Sequence, residues 1–187
     1  MLIHGVLIED TFAEAFPMRA TRLIVTAPER RWARIAAEAM TGFATSVIAC
    51  GCEAGIEREL DAAETPDGRP GVAVLLFAMG DADLARQLQN RVGQCVLTCA
   101  GTACFSGLEG DARAPLGKAL RFFADGFQSS KAIGGRRYWR LPVMDGEFVI
   151  EDMAGVASGV GGGNFLILAT AAQAALAAAE AAVQAMR

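Results

Sequence analysis

The stretch TRLIVTAPERRWARIAAEAM, residues 21–40, decides the fold class. Its opening, TRLIVTA (21–27), is rich in apolar and β-branched residues and predicts a strand. Pro28 suits the first turn of a helix, and the spacing predicts that helix from Pro28 to about Met40. Trp32, Ile35, Ala36, Ala39 and Met40 fall on one face, and Arg30, Arg31, Arg34 and Glu38 on the other.

The pattern extends outward from this strand and helix. MLIHGVLIED (1–10) alternates in part and predicts a strand ending at Glu9 and Asp10. TSVIAC (45–50) predicts a strand that enters the turn CGC (50–52). PDGRPG (66–71) has the composition of a loop, and VAVLLFAM (72–79) that of a strand buried on both faces. Asp81 can cap a helix whose inner face is Leu84, Leu88 and Val92, after which QCVLTCA (94–100) returns as a strand. Strand, helix, strand, strand, helix, strand is the order of an α+β, ferredoxin-like βαββαβ sandwich. A further helix from Leu116 would turn Leu116, Ala119, Leu120 and Phe123 inward. RRYWRLPVMDGEFVIED (136–152) predicts a hairpin with a type I′ turn at Asp145-Gly146. Pro142 marks its first strand as an edge or bulged strand.

The opening stretch has an echo. NFLILATAAQAALAAAEAAVQAM (164–186) can be laid on it so that Leu23 meets Leu166, Ile24 meets Ile167, Ala36 meets Ala179 and Ala39 meets Ala182. Each copy reads as a strand running into a helix. The expected organisation is an N-terminal ferredoxin-like lobe over 1–150. A second lobe begins at 151–187, with a strand at 164–169 and a helix at 171–186.

Composition narrows the function classes. Over half of the 187 residues are apolar, so the chain can bury a core. Net charge is −4 and no basic patch stands out, which argues against nucleic acid as a partner. No signal peptide is visible at the start. The longest apolar run, 165–186, is interrupted by Gln173 and Glu180 and reads as a strand and a soluble helix, not a membrane span. The expected location is the cytoplasm, where disulfides are rare. The five cysteines, Cys50, Cys52, Cys95, Cys99 and Cys104, lack the spacing of a zinc or iron–sulfur site, and the sole histidine is His4. They read as small buried apolar residues.

Candidate chemistry must therefore rest on carboxylates. Glu53 and Glu57 flank the CGC turn and would share one helical face at four-residue spacing, as a site or as a solvated surface. Glu53 sits at a strand end, where sites gather. Gln94 and Cys95 begin the later strand. Asp125, Gln128 and Ser129 lie in a polar turn. GVASGVGGGNF (155–165) precedes a strand instead of opening a helix, so it is not a phosphate loop. Its consecutive glycines still allow a backbone to approach a ligand or a packed element closely.

Seven stretches carry a resemblance: GVLIEDTFAEAFPM (5–18), GFATSVIACGCEAGIE (42–57), ETPDGRPGV (64–72), RVGQCVLTCAGTACF (91–105), ADGFQSSK (124–131), RRYWRLPVMDGEFVIED and GVGGGNFLIL (159–168). Together, in order and along the whole chain, they resemble the formylmethanofuran:tetrahydromethanopterin formyltransferase family. The resemblance implies two ferredoxin-like lobes from a duplication, no metal and no covalently bound cofactor, with CGC a scaffold turn near the site. It implies transfer of a formyl group between the amine of a methanofuran-type coenzyme and N5 of tetrahydromethanopterin. It implies homo-oligomers with substrate clefts at subunit contacts and, in methylotrophic bacteria, a formyltransferase/hydrolase complex. With it, the candidate catalytic residues are Glu53 and Gln94, and the candidate substrate contacts are Asp125, Gln128, Gly161, Gly162, Gly163 and Asn164. The family's acidic catalytic residue is expected beyond Arg187, and the chain alone is expected to self-associate through its C-terminal helix and to lack transferase activity. The alternative is a non-catalytic subunit that keeps the lobe without the site.

The cysteine spacing makes a direct prediction. Elemental analysis of the purified chain will show no stoichiometric metal, and about one zinc or iron per chain would contradict the reading of the cysteines.

Overall fold

Eleven residues, Phe16–Thr26, form the strand against which the rest of the sheet is assembled. The structure, a computed structural model, describes residues 1–12, 14–42, 44, 51–144, 146–162 and 166–186. In chain order its first elements are β1 (Leu2–Ile3), β2 (Val6–Leu7), β3 (Phe16–Thr26), α1 (Arg30–Thr41), β4 (Glu53–Leu60), β5 (Gly71–Ala78) and α2 (Asp81–Arg91). Then come β6 (Ala103–Ser106), β7 (Ala112–Pro115), α3 (Gly117–Leu120), β8 (Ser129–Ile133), β9 (Arg136–Val143), β10 (Gly146–Glu151), β11 (Met153–Gly161) and α4 (Ala172–Ala185). The protein is a mixed α+β structure. It divides into two compact units, Met18–Gly159 and Met1–Pro17 with Val160–Arg187.

In the larger unit the sheet runs β4-β5-β3-β6-β10-β9-β8, and β11 pairs β3 and β7. Neighbours from β4 to β6 are antiparallel, while β6 and β10 are parallel. One face of the sheet is covered by helices. Leu23, Val25, Val72, Val74, Leu76 and Ala78 point into a core shared with Leu84 and Leu88 of α2. Arg91 of α2 donates to the carbonyls of Met40 in α1 (2.6 Å) and of Gly42 just after it (3.2 Å), so both helices lie on the same side.

Several expectations are corrected here. α1 starts at Arg30, not Pro28, and its buried stripe is Ala33, Ala36, Ala37 and Met40. Trp32 and Ile35 are 42% and 39% exposed. Small residues let the helix approach the sheet, and the rotation lets Arg30 and Arg34 both reach Glu59 on β4. Asp81 is not the cap of α2. Gly80 holds that position, and the Asp81 carboxylate accepts from Arg19 at 2.7 Å. The run 94–100 is not a strand. α2 continues into a π-helical turn at Val92–Val96, closed by the Leu97 amide on the Val92 carbonyl at 2.9 Å. Val92 and Val96 are buried, and a short apolar run satisfies either geometry. The strand falls later, at β6. Glu53 and Glu57 are on β4, not on a helix. The ladder shifts between Ile56 and Arg58, which makes Glu57 the bulged residue.

The helix from Leu116 is one turn of α3 and a 3₁₀ turn, Arg121–Ala124. Leu116 and Leu120 are buried, but Phe123 is exposed. β9 and β10 form the expected hairpin, though Asp145 lies outside the described residues. β9 is not an edge strand, because β8 flanks it. That pairing stops at Arg140, so Pro142 needs no partner on that side. The strand expected at 45–50 also lies outside the described residues.

In the smaller unit the first ten residues form a two-stranded hairpin, not one strand. His4 (φ 50°) and Gly5 (φ 82°) make its turn, and the Met1 amine donates to the Ile8 carbonyl at 2.8 Å. Residues 166–169 join no ladder among the described residues, so the strand expected at 164–169 is not formed there. A lone segment has no partner to satisfy its backbone groups. The helix that follows is α4.

Backbone contact is tightest where β11 meets the loop after β6. A Cβ on Gly155 would lie 1.9 Å from the Leu108 carbonyl oxygen. Gly155→Ala is predicted to cost about 1–3 kcal/mol or more, read from urea unfolding. Unchanged stability would contradict this packing.

Candidate functional site

Glu53 lies on the face of the sheet that the helices leave open. Across β4 and β5 the register pairs Glu53 with Phe77 and Gly55 with Leu75. Across β5 and β3 it pairs Phe77 with Ala20 and Leu75 with Arg22. The intervening residues Ala54, Leu76 and Leu23 are buried on the helix side. Glu53, Gly55, Leu75 and Phe77 of the open face, with Ala54 and Ile56 between them, line a depression of about 200 Å³. Gly55 has no side chain to fill it. Beside it Glu57 clasps the Arg22 guanidinium through two bonds, Nε to Oε2 at 2.6 Å and Nη2 to Oε1 at 2.5 Å. That pairing with Glu57 raises the Arg22 pKa further and fixes its charge.

Gln94 is elsewhere. It sits exposed in the π-helical turn on the helix side, so the sheet separates it from Glu53. Its carbonyl accepts from the Thr98 hydroxyl at 2.6 Å. Thr98 lines a second depression of about 310 Å³ with Leu97, Cys99, Gly101, Met144 and Phe148. Burial pushes the Cys99 thiol up, away from a reactive thiolate.

Asp125, exposed, and Gln128, half-buried, share one turn. Asp125 is left-handed (φ 49°), and the Gln128 side-chain oxygen accepts from the Gly126 amide at 3.0 Å. In the smaller unit Gly161 ends β11. Gly162 has φ 83°, and a Cβ there would be 2.9 Å from the Glu14 carbonyl oxygen. Its close approach is thus to the chain itself. Gly163 and Asn164 lie outside the described residues. The CGC turn is scaffold: a Cβ on Gly51 (φ 77°) would lie 2.5 Å from Gln87 Nε2, and the buried Cys52 thiol donates to Gln87 Oε1 at 3.7 Å. Cys50 is outside the described residues. Among the described residues no group of three or more His, Cys, Asp or Glu side chains is arranged to hold a metal ion. No described helix is long and apolar enough to cross a membrane.

The first 143 residues match the family model described as formylmethanofuran-tetrahydromethanopterin formyltransferase, and residues 146–187 match the model of its proximal lobe. The chain belongs to this family. A relative from Methylococcus capsulatus, named formylmethanofuran–tetrahydromethanopterin formyltransferase, is 67% identical over 187 residues. That alignment takes in all of this chain and 63% of the relative. A component of the formyltransferase/hydrolase complex of Methylorubrum extorquens is 54% identical, over 99% of this chain and 61% of its own length. Among solved structures, the formyltransferase/hydrolase complex of Methylorubrum extorquens with methylofuran matches with a TM-score of 0.94 at 54% identity. The match covers 98% of this chain and 62% of that one. The enzyme from Methanosarcina barkeri gives 0.92 at 50% identity, over all of this chain and 63% of its own. The chain thus spans less than two thirds of the length of these relatives.

Two features escaped the sequence reading. Between 117 and 140 there are six basic side chains and one acidic, a local charge of +5 along the sequence, of which Arg136 and Arg140 pair with Glu109, Glu151 and Glu147. A sliding count of charge would have found it. The other is Glu151, 2% exposed at the end of β10, where a terminal acid ordinarily reads as solvated. Its Oε2 accepts from the Ser106 amide at 3.0 Å, and Arg136 stands 3.5 Å away. Burial raises the Glu151 pKa, against the opposing pull of the Ser106 amide and Arg136. Cys104 is pushed up by burial and then by the Glu151 charge.

A raised carboxyl pKa makes the folded state bind its proton more tightly than the unfolded chain does. The stabilisation is full below the ordinary carboxylate pKa and is lost as pH rises through the raised one. As pH rises above the ordinary carboxylate range, the wild type is predicted to lose stability relative to Glu151→Gln, read from urea midpoints. Parallel pH profiles would contradict this.

Proposed function

We propose that this chain serves a formyltransferase that moves a formyl group between the amine of a methanofuran-type coenzyme and N5 of tetrahydromethanopterin. The observation that carries this is identity of 67% and 64% over the whole chain to relatives bearing that enzyme's name. The coenzymes are substrates, and no covalently bound cofactor is invoked. The likeness to a component of a larger complex supports an assembled state, either a homo-oligomer or a formyltransferase/hydrolase complex, in the cytoplasm.

We read β3, α1, β4, β5, α2 and β6 as the ferredoxin-like unit. Their sheet order, β4-β5-β3-β6 with antiparallel neighbours, supports it. In this reading residues 1–150 are the N-terminal lobe and 151–187 begin the second.

Formyl transfer from amide to amine passes through a tetrahedral oxyanion, needs two coenzymes held edge to edge, and needs one proton moved from the attacking to the leaving nitrogen. Glu53, on the open face beside a shallow depression, is our proton shuttle. Phe77 and Leu75 offer it an apolar floor. Gln94, near the second depression, is assigned to a separate coenzyme contact. Asp125, Gln128, Gly161, Gly162, Gly163 and Asn164 are kept as substrate contacts.

The test is formyl transfer by the protein purified from its native host in whatever assembly it occupies. Turnover is predicted, with Glu53→Gln lowering kcat about 100-fold or more at unchanged stability. Absence of turnover would sink the reaction; full activity in Glu53→Gln would sink the role of Glu53.

A further inference from the structure

The loop PDGRPG (66–71) lies between β4 and β5, and its side chains reach beyond that connection. The Arg69 guanidinium spreads over three acceptors. Nε donates to Asp67 Oδ2 at 2.7 Å, Nη2 to the Thr26 hydroxyl at 3.0 Å and Nη1 to the Gly101 carbonyl at 2.7 Å. The hydroxyl of Thr26, a buried residue at the end of β3, donates in turn to Asp67 Oδ2 at 2.7 Å. The Arg69 amide donates to Asp67 Oδ1 at 3.2 Å, and the Thr65 hydroxyl donates to the Arg69 carbonyl at 2.6 Å. A planar fork with several N–H groups serves a carboxylate, a hydroxyl and a carbonyl at once, which a lysine ammonium matches poorly.

The Gly101 carbonyl belongs to the segment 97–102, which lines the depression of about 310 Å³ together with Met144 and Phe148 of the β9–β10 hairpin. The segment is held at its start by the π-helical turn, where the Gln94 carbonyl takes the Thr98 hydroxyl. It is held at its end by the Thr102 hydroxyl on the Val96 carbonyl at 2.6 Å. Between these two ties Gly101 turns with φ 71°, and a Cβ on it would lie 3.1 Å from the Pro28 ring. Arg69 thus ties the end of β3 and the β4–β5 connection to one wall of the depression.

We propose that Arg69 is a positioning residue: through Gly101 it sets the wall 97–102 of this depression, and with it the grip on the coenzyme that Gln94 meets. The proposal rests on the reading of Gln94 as a coenzyme contact. Arg69 itself touches no substrate. A wall out of place weakens the hold on a ligand in the ground state and the transition state alike, so it raises KM and spares kcat. Replacing the guanidinium leaves the Gly101 carbonyl without this donor and the Asp67 carboxylate without this cation. The segment then opens locally while β3 and β5 stay paired.

The test is amide exchange and steady-state formyl transfer on the protein in its native assembly. In Arg69→Gln the amides of 99–102 are expected to exchange about tenfold faster, with those of β3 and β5 unchanged. The KM of one coenzyme is expected to rise about tenfold, with the other KM and kcat held within about twofold. Gln94→Ala should raise the KM of the same coenzyme, and the double variant should add little to either single one. Arg69→Lys keeps the charge without the fork, so it should behave as Arg69→Gln, and it replaces that variant if Arg69→Gln fails to fold. Arg31→Gln on α1 should change nothing. Unchanged exchange at 99–102, faster exchange throughout the sheet, a fall in kcat with both KM values kept, or full rescue by Arg69→Lys would each overturn the proposal. A wild type without turnover would sink the formyl-transfer reading and the coenzyme half of this one, and the exchange would still decide whether Arg69 holds the wall.

Discussion

Ser106 and Glu151 hold the two halves of the sheet together. β6 is four residues long, wholly buried, antiparallel to β3 and parallel to β10. At its end the Ser106 amide donates to the Glu151 carboxylate at 3.0 Å. The Ser106 hydroxyl accepts from the Gly155 amide at 2.9 Å and donates to the Leu108 carbonyl at 2.9 Å. Thr21 closes the set by donating to the Gly155 carbonyl at 2.6 Å. Four strands, β3, β6, β10 and β11, thus meet through buried polar groups that satisfy one another. Such networks fix a unique arrangement when complete and are costly when broken. Removing the Ser106 hydroxyl would leave the Gly155 amide buried without a partner.

This junction explains why the two faces of the sheet differ. On the helix side α1 and α2 cover the strands with small residues and leucines. On the other side the row of Glu53, Phe77, Gly55 and Leu75 stays open. A carboxylate on a rigid strand beside an apolar floor is positioned more sharply than one on a loop. That is why we propose it for the proton transfer. Among the described residues β8 is the last strand at the other end of the same sheet.

Much of this is legible in the residues. The apolar run 72–79 marks the buried strand, Leu84 and Leu88 mark the inner face of α2, and the turn residues of 136–152 mark the hairpin. The elements that are not legible share one cause: local pattern does not encode tertiary competition. Val92 and Val96 suit a strand or a buried helical turn, and packing chose the turn. Ala33 and Ala37 beat Trp32 and Ile35 for the core because small side chains allow closer contact. His4-Gly5 is a weak turn signal because the strands it joins are only two residues each. For the site, Glu53 stands out by its place at a strand end, but its spacing from Glu57 suggests a helix where β4 lies. The separation of Glu53 from Gln94 is invisible in sequence, since which face a residue takes depends on register. Glu151 carries no sequence signal at all.

Native-state hydrogen exchange at Ser106 tests the central claim most directly. If the junction joins the halves, the Ser106 amide exchanges only through global unfolding, with the same free energy as amides of β3 and β10. Exchange of Ser106 through a local opening well below the global free energy would contradict the account.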